Sequence, residues 1–415
     1  MILKMEHIKI NSCNTLTSRG VVDMLIMSSS NLCTTIEYAS RQCYNSLDKM
    51  KPYSWYRYIR ARVNDGHCSV IEHSNIAMIC TCTDEFADAV KKSLALTNSM
   101  LHYVEDRVIK WSDGLVMVSL SGNIRMWRDF FINMKGITNS DAINDVTLVY
   151  GSMFRFWDYL TTRELTDKMV ADGYMTDSNY EMIRELFTSD IEQIRMFSGT
   201  NIVKNIEDYN FSSNLPGWKH ELKTEVLRDG ADDGITVYGI NADDPVCISG
   251  DHYYRTFLSK YKKDISSVTI VYTMPRIITQ MEARHRINAI SQKSQRYVSE
   301  RNGTIYVPET IDGDKKYNVN GLSLSYNDVN NIIMGMYQAL QDDGIKNEDA
   351  RFILPNAVYS TLVVTKPLYT INHYYNERSS KAAQREIRYV AEALKKYVND
   401  KDTMYKSYYK ENIIK

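Results

Sequence analysis

Ile36, Ala39 and Cys43 recur at three- and four-residue spacing in a segment, 20–64, whose apolar positions predict helix. The run NIAMICTCT at 75–83 is dense in apolar and β-branched residues and predicts a strand. GLVMVSLS at 114–121 predicts a second strand, running into the helical pattern NIRMWRDFFINM. Cys80 and Cys82 alternate on the first strand, so both thiols share one face, and core packing is expected of them. Ser178 followed by Glu181 has capping-box spacing and predicts a helix over 179–197. Residues 200–250, with NLPGWKHE, RDGADDG and NADDPV, read as loop and mark the best domain boundary. Beyond them SSVTIVYTMP at 266–275 predicts a strand ending at Pro275, with a helix following toward Arg284. A last helix starts near Ser380, with Ile387, Val390, Ala391, Leu394 and Val398 on one face.

Length and charge narrow the class. A chain of 415 residues can bury a sizeable core and usually makes two or three domains. Its formal net charge of −1 argues against a general nucleic-acid or anionic-membrane surface, so any anion site must be local. No apolar stretch approaches the roughly 18 residues a membrane span needs, and MILKMEHIKINSC is too interrupted for a signal peptide. Seven cysteines, an odd number without a paired CxxC pattern, fit a reduced cytoplasmic protein with no metal site.

Against that balance, EARHRINAISQKSQRYVSERN at 282–302 concentrates Arg284, His285, Arg286, Arg296 and Arg301. Arginines clamp phosphates through bidentate, charge-assisted hydrogen bonds, and a serine adds a donor. Charge alone would equally suit a solvated basic face. The spacing is more specific: Arg284-His285-Arg286, seven residues, Ser294, one residue, then Arg296 resembles the signature of the flavin-dependent thymidylate synthases. GHCSVIEH at 66–73, ASRQCY at 39–44, ARFILP at 350–355 and RSSKAAQREI at 378–387 resemble further segments of that family. By that resemblance Arg284, Ser294, Arg296, Arg351 and Arg378 bind deoxyuridylate (dUMP), with Arg284 and Ser294 the catalytic candidates. His67, Ser69, Glu72, His285 and Arg286 would contact FAD and the folate entrance. Cys68, beside His67, is expected to be a small buried residue and not a catalytic thiol.

Departures from the family pattern carry information too. Ser291 and Gln292 stand where Asn and Glu are typical, Met281 where a Gln is usual, and Cys43 where a Ser is. Pro367-Leu368-Tyr369 replaces the family's Asn-Ala-Arg, yet Asn123-Ile124-Arg125 after the first half's strand has that segment's shape and joins the flavin set. Each half therefore carries what the other lacks. The expectation is an α+β fold, a mostly antiparallel sheet flanked by helices, present twice in tandem over 1–200 and 201–415. His67, Glu72, Asn123 and Arg125 would then meet Arg284, Ser294 and Arg378 around one flavin. The resemblance implies reductive methylation of dUMP to dTMP with FAD, NADPH and methylenetetrahydrofolate, in a homodimer that rebuilds the family's tetramer. A hydroxymethylase or a dCMP-directed enzyme stands beside it because of Ser291 and Gln292. A non-catalytic nucleotide or flavin scaffold is the reading from another class.

Overall fold

The computed structural model describes residues 3–8, 21–29, 32–51, 54–109, 114–135, 137, 146, 224–228, 236–240, 252–396 and 398–399. The capping-box helix expected at 179–197 lies outside them.

Two five-stranded antiparallel sheets carry the chain. The first is built from β1 (Leu3–Ile8), β2 (Val21–Ser29), β3 (Ile76–Thr83), β4 (His102–Asp106) and β5 (Leu115–Gly122). Its spatial order is β1-β2-β3-β5-β4. The second uses β6 (Thr224–Arg228), β7 (Thr236–Ile240), β8 (Ser267–Pro275), β9 (Ala289–Gln292) and β12 (Tyr359–Pro367). Its order is β6-β7-β8-β12-β9, so both sheets follow the same path: first, second, third, fifth, fourth. A hairpin, β10 (Lys316–Val319) with β11 (Leu322–Ser325), and helix α7 (Tyr326–Asp342) lengthen the connection between β9 and β12.

The strands at 75–83, 114–121 and 266–275 form within a residue of expectation. Two readings need correction. Residues 21–29, expected within a helix, form β2 and pair with both β1 and β3; apolar periodicity in so short a run does not separate the two states, and the sheet takes the β-branched start. The stretch 200–250, read as loop, contributes β6 and β7 at the sheet edge.

Burial explains the rest. In β3, Ile76, Met78, Cys80 and Cys82 face helices α3 (Asp84–Thr97) and α4 (Ile124–Lys135) in a core with Phe86, Trp127 and Phe130. Trp127 is fully buried, and its indole N–H donates to Ile76 O at 3.1 Å, as a buried indole requires. Cys80 and Cys82 are core residues, as the alternation predicts. In β8, Val268, Ile270, Tyr272 and Met274 face the matching core, closed by α8 (Ile371–Arg378) and by helix α9 (385–396) through Ile387, Val390, Ala391 and Leu394.

The opposite faces of the sheets are covered reciprocally. Helix α1 (Leu32–Cys43), which precedes β3, packs on β9 and β12 of the second sheet. Ala39 is wholly buried there against Val271 and Val363. Helix α5 (His252–Ile265), which precedes β8, packs on β4 and β5 of the first sheet. Side chains fasten both crossings: Asn75 Nδ2 donates to Ile265 O at 2.9 Å, and Lys260 Nζ and Tyr261 Oη donate to the Asp106 carboxylate at 2.6 and 2.8 Å.

Candidate functional site

The reciprocal packing leaves a cleft between the sheets, open to solvent, with a cavity of about 100 Å³. Each sheet contributes the same three places. The start of the third strand gives Ser74 and Asn75 from one sheet and Ser266 and Ser267 from the other. The end of the fifth strand gives Ser121 to Asn123 and, opposite, Thr365, Pro367 and Tyr369. The start of the fourth gives Met100 and His102, and Arg286 to Ala289.

Three of the residues singled out in the sequence, Glu72, Asn123 and Arg286, line this cleft, two from the first half and one from the second. Asn123 also caps α4, its Oδ1 accepting from the Met126 amide at 2.9 Å. The Arg125 guanidinium pairs with the Glu72 carboxylate, which fixes the acid's orientation at the cleft wall. Ser69 is exposed on the 3-10 turn Cys68–Glu72, and His67 just before it holds Tyr44 Oη at 3.0 Å through Nδ1.

Helix α6 (Arg276–Glu282) ends in the turn that carries Arg284-His285-Arg286. Arg284 and Arg286 are exposed and neither guanidinium has a protein acceptor among the described residues. His285 between them is fixed: Arg378 Nε donates to its Nε2 at 2.7 Å, so the ring proton sits on Nδ1, and the Tyr374 ring packs edge-on at 4.6 Å. Burial, helped by the charges of Lys366 and Arg378, pushes His285 down to about 4, so the imidazole is neutral near pH 7. Behind it lies a fully buried pair, Lys366 and Glu282, with Tyr374 Oη donating to the same carboxylate at 2.6 Å and the Lys366 ammonium 4.0 Å from the Tyr374 ring centroid.

The remaining candidates form a second group. Ser294 donates its backbone N–H to Cys43 O at 2.9 Å, and its Oγ accepts from the Arg296 amide. Arg296 pairs with Glu348 at 2.7 Å, and Arg351 Nε donates to the backbone oxygen of the same Glu348 at 3.1 Å. Tyr44 and Tyr297, rings 5.4 Å apart, join this group to His67. Arg284, Ser294 and Arg378 are not among the cleft's lining. Cys68 is half-buried and not fully so, and the Arg128 guanidinium donates to its sulfur at 3.2 Å.

Sequence reasoning passed over His73, the last residue of GHCSVIEH. It is 1 % exposed and bridges the halves: Nε2 meets Ser291 Oγ at 2.9 Å and Nδ1 meets Thr365 Oγ1 at 3.1 Å. Ser291, one of the departures from the family pattern, is thus occupied as a structural partner. The buried Glu282 and Lys366 were also missed; a charged residue in an otherwise apolar strand, as Lys366 is in STLVVTKP, was the available signal.

Residues 264–402 match the family model described as thymidylate synthase complementing protein. Over this stretch the chain is similar to the flavin-dependent thymidylate synthases. It is 37% identical over 120 residues to the flavin-dependent thymidylate synthase of Pyrococcus furiosus, covering 28% of this chain and 47% of that one. With the enzyme of the same name from Nitratidesulfovibrio vulgaris it shares 33% over 134 residues, 31% of this chain and 54% of that one. The chain thus spans about half the length of the curated relatives it matches. A solved structure of a UMP/dUMP methylase from Streptomyces cacaoi aligns with 42% of this chain and 96% of its own at 20% identity, with a TM-score of 0.31.

Proposed function

We propose that the chain is a flavin-dependent methylase of a pyrimidine deoxynucleotide, forming dTMP from dUMP with methylenetetrahydrofolate and NADPH, and that it is a tandem duplication whose two units build one site. The observation that carries the reading is the meeting, in one cleft, of Glu72 and Asn123 from the first unit with Arg286 from the second. The repeated strand order and the reciprocal helix packing support the duplication.

The residues fit a flavin nucleotide. Arg284 and Arg286 are cations without protein acceptors, which suits phosphate oxygens, and Asn123 and Asn288 add amides at the cleft. A bound flavin supplies the hydride chemistry that the side chains lack. The chain's own residues bind and orient. Arg284 offers charge to an electron-rich pyrimidine, the role of a preorganised cation, and Ser294, anchored by its backbone to Cys43, positions the nucleotide with Arg296 and Arg351. His285, neutral and held by Arg378, presents an Nδ1–H donor.

One observation keeps dCMP as a second substrate. The Gln292 side-chain nitrogen donates to Thr279 and Ser360 hydroxyls, both at 3.0 Å, which leaves its carbonyl oxygen as an acceptor for an amino group. Anaerobic incubation with FAD, NADPH, methylenetetrahydrofolate and either dUMP or dCMP, with the product weighed by mass spectrometry, tests both. A dUMP product heavier by one methylene unit is expected; a hydroxymethyl product or reaction of dCMP alone establishes the second reading. A chain that neither binds flavin nor turns over overturns both. Two chains would rebuild a four-unit assembly, so light scattering should give a homodimer.

A further inference from the structure

The two ends of the cleft differ in charge and chemistry. One end holds Glu72, already paired with Arg125, together with Asn123 and Arg286, which has no protein acceptor among the described residues. The other end is formed by Asp264, Ser266, Ser267 and His102, none of which belongs to a motif used above, and by Tyr369 of the Pro367-Leu368-Tyr369 segment. There His102 and Tyr369 stack at 4.2 Å with 13° between their planes, an aromatic wall.

Two features at this end ask for a ligand. The Ser266 and Ser267 side chains are 5% and 4% exposed, and neither hydroxyl has a hydrogen-bond partner among the described residues. Buried hydroxyls are rarely left so, because each unmade bond costs free energy. Among the described residues the one ion-pair neighbour of Asp264 is His102, 3.9 Å away, whose burial pushes it below its ordinary value and so keeps it neutral. An acceptor-only carboxylate beside an aromatic stack and two hydroxyls repels phosphate. It suits a flat, neutral heterocycle carrying adjacent N–H donors.

We infer that the Asp264 end of the cleft binds the amino-oxo ring of a pterin, its ring N–H and exocyclic amine donating side by side to the carboxylate while the ring lies against the His102–Tyr369 stack. The inference rests on the function proposed above, in which a reduced folate is the one-carbon donor, and it assigns that donor's ring to residues that were not among the site candidates read from the sequence. The anionic ligands are then left to the Arg286 end.

The test compares oxidised pterin with lumazine, which has an oxo group in place of the exocyclic amine. Both are fluorescent, so binding to the full chain is read by quenching, alongside flavin and dUMP binding on the same samples. The unaltered chain should bind pterin at least about ten-fold tighter than lumazine, the effect of one charge-assisted bond. Asp264→Asn should bring that ratio close to one while flavin and dUMP binding stay unchanged. Tyr369→Leu should weaken both heterocycles. Equal affinity for the two in the unaltered chain, or an undiminished ratio in Asp264→Asn, overturns the subsite even if flavin binds. Pterin discrimination that depends on Asp264 supports it even if flavin and dUMP do not bind, and that failure falls on the broader function alone. Asp264 is 39% exposed, so its replacement by Asn leaves the fold intact.

Discussion

His73 joins the two halves through a fully buried imidazole whose ring nitrogens, among the described residues, meet two hydroxyls, Ser291 and Thr365, and no carboxylate, so its charged form would be desolvated without a counter-charge. Burial pushes it from 6.5 down to about 3. The sign follows from proton counting. Between those two values the unfolded chain carries a proton on this residue that the folded chain does not, so stability falls as pH drops from about 6.5 toward 3, and this contribution is level above and below that window. A depression of this size corresponds to on the order of 5 kcal/mol, at about 1.4 kcal/mol per unit of pH across the window. His73→Asn keeps a neutral donor and acceptor at every pH. Its expected cost is about 1–3 kcal/mol at pH 7.5 from lost packing and poorer bonds. Urea unfolding of both proteins at several pH values between 7.5 and 4, followed by near-ultraviolet circular dichroism, gives the comparison. The carboxylates titrate in both proteins and cancel in the difference. The gap between the two should narrow steadily on acidification and close or invert near pH 4. A gap that stays constant from pH 7.5 to 4 refutes the reasoning, because it means that His73 does not change protonation on unfolding.

Other perturbations read other parts of the structure. Lys366→Met leaves the Glu282 carboxylate buried without its cation and should cost about 3–5 kcal/mol, whereas the double variant Lys366→Met, Glu282→Gln should recover much of that loss in thermal melts. Arg286→Ala should weaken flavin binding about ten- to hundred-fold, by flavin fluorescence, with a melting temperature within a degree or two of the unaltered chain, since Arg286 is exposed and makes no side-chain bond to the described residues. Asp106 is buried, which alone would raise its carboxyl, but bonds from Lys260, Ile109, Tyr261 and Val108 hold it far below the usual range. Asp106→Asn should therefore destabilise by about 2–4 kcal/mol at pH 7, and the difference should shrink as pH falls through the ordinary carboxylate range.

The sheet interiors were legible because their apolar density is high and their length short: 75–83, 114–121 and 266–275 become β3, β5 and β8. The last helix was legible by its 3.6-residue stripe. The edges were not. Nothing local in VVDMLIMSS distinguishes a strand from a helical turn; its partners, β1 and β3, decide it, one of them some fifty residues away. The site divides the same way. Arg284, His285 and Arg286 announce themselves by spacing and charge, and Glu72 and Asn123 by motif. That they meet across a cleft depends on α1 and α5 crossing to the other sheet, which a linear pattern does not express. His73, Ser291 and Thr365 escape for the same reason: two hydroxyls and an imidazole become a network only at separations of 218 and 292 residues.

That crossing also bears on the proposed duplication. Because α1 covers the second sheet and α5 the first, neither sheet buries its outer face alone, and the two units are held in one register by the Asn75, Asp106 and His73 contacts. The cleft takes the same three strand ends from each sheet, so under the proposed duplication its two ends begin as equivalents. In two separate identical chains a substitution at one end would appear at both. Joined in a single chain, the ends are free to differ. Here one keeps Asn123 and Arg286, and the other carries His102, Asp264 and Tyr369, with Tyr369 standing where the family's Asn-Ala-Arg segment would place an arginine. A cation exchanged for an aromatic ring, next to a carboxylate, changes that end from one that attracts phosphate to one that repels it. On this reading the lost motifs are what let a single cleft hold two chemically different ligands side by side.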